Sequence, residues 1–319
     1  MWHSDFLDGY ESLDLPLDVP PAIGEPDGVE MVATLVRKSP ANTSATAVLY
    51  LHGWNDYFFQ THVADTFADA GIDFFALDLR RYGRSLRRGH YPTFITDLDD
   101  YGDEIGQAAD LIAADHDRLM IIAHSTGGLI AALWAAQNPE RVSGLVLNSP
   151  WLDLQGSAMV RALGLPVIDA IGHRRPTSVL KLPDAGFYSR VIHSSHGGEW
   201  DYDLTMKASP SPPVRVGWLR AILIGHQRVA AGLDLACPVL VMCSTATDFS
   251  RRWHEGLRIA DTVLDVEQIV QRATRLGRLV TILRVDQGLH DVLLSAPAVR
   301  KLAGEDMMHW VDAYVLGAD

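Results

Sequence analysis

The 319-residue chain has little cysteine, no long apolar run and no excess of basic charge. Its two cysteines, Cys237 and Cys243, flank the apolar run P-V-L-V-M, and residues six apart on one strand could not easily form a disulfide. No apolar run approaches the roughly 18 residues of a membrane-spanning helix. The opening M-W-H-S-D-F-L-D also lacks the basic and apolar parts of a secretory leader. We therefore expect a cytoplasmic protein without a membrane span or a structural disulfide.

The charge balance excludes two classes of partner. The chain carries 40 acidic side chains against 27 lysines and arginines, a formal net charge of −13. Nucleic acid and anionic membranes would be repelled by this field. A small substrate responds to local charges instead, and a substrate carboxylate would need an arginine as its partner. The arginines in the middle of the chain that could serve are Arg161, Arg174, Arg175, Arg190, Arg215 and Arg220.

Short apolar runs rich in β-branched residues alternate with longer stretches of helical period. The runs span 46–51, 73–78, 118–123, 142–147, 238–243 and 280–285, and the helical stretches span 61–71, 97–112 and 263–273. Continuous apolar runs are typical of strands buried on both faces, as in a parallel sheet. The alternation therefore predicts an α/β fold with a doubly wound, mostly parallel sheet. Residues 29–37 predict an antiparallel edge hairpin in front of that sheet.

One region interrupts this rhythm. From residue 150 to about 235 the chain shows no clear alternation and is rich in aromatic residues and prolines. A segment of this length inside a compact domain needs structure of its own, so we expect an inserted helical cap. The predicted organisation is a core formed by 1–149 and 236–319, with the cap at 150–235.

The stretch R-L-M-I-I-A-H-S-T-G-G-L-I (118–130) passes from an apolar strand through one serine into a helix. This is the strand, turn and helix that a nucleophile elbow requires, with Ser125 as the nucleophile. So sharp a turn needs small neighbours, here Ala123, Gly127 and Gly128. The alternative is a serine that only caps a helix.

Three motifs together resemble the α/β-hydrolase superfamily. They are L-Y-L-H-G-W (49–54), A-L-D-L-R-R-Y-G-R-S (76–85) and the small-x-Ser-x-Gly turn at Ser125. Two departures are visible: Ala123 stands where glycine is commoner, and Arg81-Tyr82-Gly83 keeps one of two glycines. The resemblance spans nearly the whole chain and implies the fold predicted above.

The resemblance also implies an oxyanion hole. The residue after His-Gly supplies one amide in this family, which corresponds to Trp54, and the residue after the nucleophile supplies the other, Thr126. Residues expected to support the site are His52, Gly53, His124, Gly127 and Gly128.

A serine nucleophile needs a base, and the base needs an orienting acid. The resemblance implies that His290 in V-D-Q-G-L-H-D-V is the base, the alternative being a surface histidine. For the acid, Asp261 in A-D-T-V-L-D-V-E resembles the family's turn and is favoured, while Asp248 stays open as the alternative. Asp265 is expected in the first turn of a helix, where the dipole favours a carboxylate, and Asp291 is expected to be structural.

The cap segment at 187–204 and the tail G-L-H-D-V-L-L-S resemble bacterial hydrolases related to monoacylglycerol lipases, lysophospholipases and monoalkyl phthalate hydrolases. This implies a serine carboxylic-ester hydrolase acting on small monoesters, with monoalkyl phthalates as the narrower hypothesis. The alternatives are a general monoacylglycerol-type esterase, an aminopeptidase and a non-catalytic binding protein. A haloalkane dehalogenase is disfavoured because its nucleophile is a carboxylate.

No metal or organic cofactor is expected. His193 and His196 have a spacing that could ligate a metal, but no third ligand lies nearby in the sequence. The expected partner is a small-molecule ester, and the sequence leaves the oligomeric state open.

Overall fold

The computed structural model describes residues 1–38, 44–154, 168–180 and 186–317. The described strands, in chain order, are β1 (His3–Ser4), β2 (Tyr10–Pro16), β3 (Val32–Lys38), β4 (Thr46–Leu51), β5 (Asp73–Asp78), β6 (Arg118–His124), β7 (Gly144–Asn148), β8 (Val179–Leu180), β9 (Val214–Arg215), β10 (Val239–Ser244) and β11 (Val280–Val285). Within this described part, nine strands form one sheet in the order β1-β2-β3-β5-β4-β6-β7-β10-β11, and β8 pairs with β9 separately.

The sheet is parallel from β5 to β11 and antiparallel from β1 to β5. Along β4, Leu49 and Leu51 face one hydrophobic core while Val48 and Tyr50 face the other. Because successive side chains of a strand point to opposite faces, a strand between two cores must be apolar throughout. The prediction of a doubly wound, mostly parallel α/β sheet is confirmed.

The edge of the sheet differs from the prediction. Residues 29–37 are predicted to form an antiparallel edge hairpin; the antiparallel pairing is confirmed, but β3 is an internal strand that pairs with β2 on one side and β5 on the other. The sequence pattern missed β2, because Y-E-S-L-D-L-P places polar residues among its apolar ones and ends in Pro16. Such a strand lacks the apolar continuity that identifies the central strands.

The described helices cover both faces of the sheet. Apart from helical residues 168–174, they are α1 (Thr61–Asp69), α2 (Gly102–Ala113), α3 (Thr126–Gln137), α4 (Phe187–Ile192), α5 (Val216–Ala231), α6 (Val266–Ala273) and α7 (Pro297–Val311). Helices α1 and α7 bury apolar residues in one core, while α2, α3, α5 and α6 bury theirs in the other. Across the described ranges, none of the helices combines the length and apolarity needed to cross a membrane.

The region between β7 and β10 contains more than helices. Its described part includes helical residues 168–174, the β8–β9 pair, α4 and α5. Helix α5 packs on α3 so closely that a Cβ added at Gly225 would lie 3.2 Å from Leu129 and Leu133. The insertion therefore shares the main core through α5, and the cap boundaries at 150 and 235 stay a prediction.

The two cysteines are free thiols. Cys237 and Cys243 are both buried and unpaired. Burial raises the pKa of Cys237 to about 11 and that of Cys243 to about 12, so both remain protonated at neutral pH. The expectation that they form no disulfide is confirmed.

Candidate active site

Ser125 lies at the turn between β6 and α3 in a conformation that is rare for a residue with a side chain. Its φ is 53° and its ψ is −117°, and such a backbone persists only where its surroundings enforce it. The Ser125 N–H donates to the Asn148 carbonyl at 3.0 Å, and the Trp151 N–H donates to the Ser125 carbonyl at 3.0 Å. The side chain makes no helix-capping hydrogen bond, so it is available to other partners.

The turn depends on small residues, as the sequence suggested. A Cβ at Gly127 would lie 2.3 Å from the His52 carbonyl oxygen, which is backbone and cannot move aside. A Cβ at Gly128 would lie 2.7 Å from the Pro150 Cβ. Glycine at 127 lets α3 begin directly against the end of β4, and glycine at 128 lets it pack on Pro150, which follows β7.

The structure brings Ser125, His290 and Asp261 together. His290 Nε2 lies 3.1 Å from Ser125 Oγ, and His290 Nδ1 lies 3.0 Å from Asp261 Oδ2. The other carboxylate oxygen, Oδ1, accepts hydrogen bonds from the Val263 and Leu264 N–H groups, each at 2.8 Å. Because a carboxylate only accepts, the His290 proton resides on Nδ1, and Nε2 is left to accept the serine proton.

The remaining aspartates of this region have other partners. Asp248 is partly exposed and pairs with His254 Nε2 at 3.1 Å, so it is Asp261 that lies against His290. Asp265 caps α6 by accepting the Glu267 N–H at 3.0 Å. Asp291 is buried and accepts from Asn148 Nδ2 at 2.6 Å, which is the structural role expected of it.

The two amides expected to form the oxyanion hole are free to bind a ligand. Neither the Trp54 nor the Thr126 backbone N–H donates a hydrogen bond to any residue that the structure describes. The loop that carries Trp54 packs directly on the elbow, since a Cβ at Gly53 would lie 3.2 Å from Ser125 Cβ. The loop and the nucleophile are thus fixed against each other.

His52 anchors this loop. Its Nε2 accepts from the Leu79 N–H at 3.0 Å, so its proton lies on Nδ1, which donates to the Gly53 carbonyl at 2.8 Å. Burial lowers the pKa of His52, which keeps the ring neutral at physiological pH and preserves this arrangement. The position agrees with the supporting role expected of His52.

A buried charged network, which the sequence did not reveal, lies beside the elbow. Asp56 Oδ1 is 2.7 Å from Lys207 Nζ, and Asp56 Oδ2 is 3.6 Å from Nδ1 of His124. Asp56 is 1% exposed and Lys207 is 7% exposed. Burial by itself raises the pKa of Asp56, but Lys207 and His124 outweigh it and lower the pKa to about 2. The His124 and His290 rings lie 4.9 Å apart, so the network adjoins the triad.

One signal for this network was present in the sequence. Asp56 is a lone carboxylate in H-G-W-N-D-Y-F-F, directly after the stretch that carries Trp54, and such a residue inside an apolar run needs a partner. Lys207 had no comparable signal, because the proline-rich cap around it has no period from which burial could be read.

A cavity of about 740 Å³ adjoins the site and is lined by Ser125 and His290. One part of its wall is apolar and contains Trp218, against which Trp54 and Trp151 pack with ring centroids 5.5 and 5.9 Å away. Further lining residues are Leu154, Leu180, Val214, Leu219, Val263 and Leu264. The cavity is therefore suited to an alkyl or acyl chain next to the serine.

The cap arginines do not line this cavity. Of the six candidates, Arg161 lies outside the described residues, and none of the other five is part of the cavity wall. Arg190 stacks on Trp253 at 3.9 Å, and Arg220 pairs with Asp169 at 2.7 Å. The cation that does line the cavity is Lys207.

The two cap histidines with metal-like spacing have local partners. His193 Nδ1 lies 2.8 Å from Ser195 Oγ, and His193 Nε2 lies 3.3 Å from the Tyr202 carbonyl. Within the described ranges, the structure contains no group of three His, Cys, Asp or Glu side chains placed to hold a metal ion.

Comparisons with known proteins identify the family and similar folds. The family model described as "Hydrolase_4: Serine aminopeptidase, S33" matches residues 42–248. The monoacylglycerol lipase of Mycolicibacterium smegmatis is 24% identical over 282 residues, which cover 87% of this chain and 91% of that protein.

Solved structures share the fold. The crystal structure of Paleococcus ferrophilus monoacylglycerol lipase superposes with a TM-score of 0.66 at 16% identity, covering 90% of this chain and 100% of that one. A soluble variant of monoglyceride lipase from Saccharomyces cerevisiae gives 0.63 at 17% identity, covering 93% and 96%. The predicted resemblance to α/β-hydrolases of the lipase and esterase kind is confirmed, and the predicted enzyme class, a carboxylic ester hydrolase, agrees with these relatives.

Proposed function

Because this chain belongs to the family described as Hydrolase_4 (serine aminopeptidase, S33), and its similar proteins include monoacylglycerol lipases, we propose that it hydrolyses carboxylic esters through Ser125, His290 and Asp261. The observation that carries the proposal is the continuous hydrogen-bonded line from Asp261 through His290 to Ser125, with distances of 3.0 and 3.1 Å, at the wall of an apolar cavity. This is the geometry that lets a serine act as a nucleophile.

The reaction follows from the proton positions. Ser125 Oγ attacks the ester carbonyl carbon while His290 Nε2 accepts the hydroxyl proton, and Asp261 keeps the ring in the required tautomer. The negative charge that develops on the carbonyl oxygen is stabilised by the free amides of Trp54 and Thr126. The carbon–oxygen bond to the alcohol then breaks, and His290 returns the proton to the leaving alcohol.

The second half of the reaction uses the same groups. Water attacks the acyl carbon on Ser125, and His290 Nε2 takes a proton from that water. The bond between the acyl carbon and Ser125 Oγ breaks, the serine regains its proton from His290, and the carboxylic acid leaves. Both proton transfers between enzyme groups run between His290 Nε2 and Ser125 Oγ, which lie within hydrogen-bond distance of each other.

The cavity favours a small neutral monoester. Its apolar wall suits an acyl chain, and the Lys207 charge is already compensated by Asp56 at 2.7 Å. A monoacylglycerol-like ester fits this balance. A monoalkyl phthalate is the second candidate, because Lys207 is a cation in the cavity wall, but its carboxylate would have to compete with Asp56 for that ammonium.

An aminopeptidase activity has less support, although the family carries that description. A substrate amine would need a free carboxylate, and Asp56, the carboxylate in the described part of the cavity wall, is already paired with Lys207.

The test is hydrolysis of p-nitrophenyl butyrate, monobutyrin and monobutyl phthalate by wild type and by Ser125→Ala, with amino-acid anilides as the aminopeptidase substrate. We expect the neutral esters to be cleaved, the anilides to be left intact, and Ser125→Ala to lose roughly a thousandfold or more in kcat. A strong preference for the phthalate would move the second candidate to first place. Full activity in Ser125→Ala would overturn the proposal, and so would an inactive wild type that no fluorophosphonate labels.

A further inference from the structure

The loop that carries the proposed oxyanion donor is held by the cap. We call residues 54–57 the oxyanion loop and residues 203–211 the cap strap. The Asn55 side chain pairs with the strap backbone like a neighbouring peptide group: its Nδ2 donates to the Ala208 carbonyl at 2.8 Å, and the Ala208 N–H donates to its Oδ1 at 3.1 Å. Asn55 thus fixes the loop to the strap by two opposed hydrogen bonds.

The next two loop residues bind the same strap. Asp56 pairs with Lys207 at 2.7 Å, and the Tyr57 hydroxyl accepts the Asp203 N–H at 2.8 Å. Three successive side chains of one loop therefore bind one short cap segment. These contacts fix the position of the oxyanion loop relative to the cap strap.

The strap has a defined shape that presents Lys207. The Asp203 carbonyl accepts from the Met206 and Lys207 N–H groups at 3.0 and 2.9 Å, and the Asp203 side chain accepts from the Thr205 N–H at 2.7 Å. These bonds close a turn that ends at Lys207. The ammonium group then lies within 5.3 to 5.7 Å of three aromatic ring centroids, those of Phe59, Tyr188 and Tyr202.

The loop needs this support because its backbone is strained. Asn55 has a φ of 51°, in the left-handed region that residues with side chains rarely adopt. Apart from glycine, Asn is among the residue types that best tolerate this region, and the strap compensates through the two Ala208 hydrogen bonds. The strain occurs one residue after Trp54, so the contacts of Asn55 with the strap hold the segment that carries the Trp54 amide.

We propose that Asn55, Asp56 and Lys207 are positioning residues: by joining the cap strap to the oxyanion loop, they aim the Trp54 N–H at the oxyanion. The inference rests on the proposed ester hydrolysis. It assigns these residues no contact with substrate atoms. Under this proposal, stabilisation of the oxyanion depends on the position of the cap strap. The three triad residues, in contrast, all come from the core.

The test compares Asn55→Ala, Asp56→Asn and Lys207→Met with wild type. Glu199→Gln is the matched control, because Glu199 joins the cap to Arg300 of the core at 2.7 Å without touching the oxyanion loop. For each protein we would measure kcat and KM on p-nitrophenyl butyrate, the inhibition constant of an alkyl trifluoromethyl ketone, and the thermal midpoint. The ketone forms a tetrahedral adduct on serine, so its affinity reports on the oxyanion hole.

The three variants should lose about 10- to 100-fold in kcat with little change in KM, because a donor that is displaced contributes less than one that is aligned. Ketone affinity should fall in the same proportion, Lys207→Arg should recover part of both losses, and Glu199→Gln should behave as wild type. Asn55→Ala leaves the buried ion pair intact, so it keeps the test valid if the other two variants do not fold.

Two results would overturn the inference. One is a variant with a lowered thermal midpoint but wild-type kcat and ketone affinity, which would make the contacts purely structural. The other is a raised KM at unchanged kcat, which would place Lys207 in substrate binding. Both are distinct from failure of the proposed function, in which wild type itself would not cleave the ester.

Discussion

Two buried carboxylates lie beside two histidines in this molecule, and their surroundings differ. Asp261 is satisfied by neutral donors, namely two backbone N–H groups and the His290 ring, all within 3.0 Å. Asp56 faces the Lys207 ammonium on one side and the His124 ring on the other. The first arrangement fixes a proton on a chosen nitrogen. The second neutralises a cation carried by another part of the chain, so similar groups serve orientation in one place and attachment in the other.

The orienting role of Asp261 is tested by Asp261→Asn, for which we expect the largest loss of activity. In Asp261→Asn the amide oxygen should take the place of Oδ1, where two backbone N–H groups point, and leave the amide NH2 facing His290. A donor there forces the His290 proton onto Nε2, which can then no longer accept the serine proton. We expect a loss of about 10⁴-fold in kcat on p-nitrophenyl butyrate at pH 7. A loss below tenfold would show that Asp261 does not set the tautomer.

Asp56→Asn should produce the largest loss of stability. The asparagine cannot neutralise Lys207, and an unpaired buried ammonium should lower the free energy of unfolding by about 3–5 kcal/mol at pH 7. Urea unfolding of wild type and variant measures this directly, with Glu199→Gln as the control for an exposed cap contact.

The free energies of unfolding of wild type and Asp56→Asn should converge at low pH. Despite its burial, the wild-type carboxyl has its pKa lowered from 3.8 to about 2 by Lys207 and His124. Because its folded pKa is depressed, its contribution to stability is complete above the unfolded value and is lost as pH falls through the folded one. The difference in free energy of unfolding between wild type and Asp56→Asn should narrow by roughly 2 kcal/mol as pH falls from 5 to 2. A constant gap would mean that Asp56 is not the group that titrates.

Another buried histidine, His226, has neither a carboxylate nor a cation as its hydrogen-bond partner in the part of the chain that the structure describes. His226 Nε2 lies 2.9 Å from the Trp151 carbonyl, and its Nδ1 has no hydrogen-bond partner among the described residues. Burial lowers the pKa of His226 from 6.5 to about 4. As pH falls, the unfolded chain therefore takes up a proton on His226 before the folded chain does. This group should lower the free energy of unfolding by roughly 3 kcal/mol as pH falls from 6.5 to 4.

The measurement is the pH dependence of the free energy of unfolding in His226→Gln, whose amide can still donate to the Trp151 carbonyl. The slope between pH 6.5 and 4 should be flatter than in wild type, because the variant lacks the buried titrating ring. Equal slopes in His226→Gln and wild type would contradict the assignment.

The smallest effect is expected at Asp248, the alternative acid considered from the sequence. Its partner His254 is exposed, and exposed ion pairs contribute about 0–1 kcal/mol. Asp248→Asn should keep kcat within about twofold of wild type and shift the free energy of unfolding by less than about 1 kcal/mol. A loss approaching that of Asp261→Asn would show that Asp248 takes part in the reaction.

The sequence predicts those parts of the structure that depend on local physical constraints. The central strands were predictable because burial on both faces requires unbroken apolar runs, as in β4 and β6. Ser125 was recognisable because a strained elbow restricts its neighbours to small residues, an effect confined to a few adjacent positions. Such constraints are local, so they leave a pattern in the sequence.

The parts that escaped prediction depend on long-range pairing. Strand β2 is satisfied by its neighbour β3 and needs no apolar continuity of its own. Asp56 and Lys207 are 151 residues apart, and their contact compensates the burial of both charges. The cap arginines were conspicuous by charge, yet the cavity wall contains a lysine instead.

The burial of helix α3 predicts how slowly its amides exchange with deuterium. It is apolar on all sides, and its residues from Thr126 to Ala135 are buried between the sheet and α5. Amides in such a segment exchange with deuterium only when the whole domain opens, whereas elements with few buried contacts exchange through local opening. The hydrogen-bonded amides of α3 beyond its first turn should therefore be among the last to exchange, while the Thr126 amide at the cavity, unbonded within the described residues, is excepted. A hydrogen-exchange map should place the nucleophile in the most persistent part of the fold, and the strap that aims its oxyanion donor among the faster-opening parts.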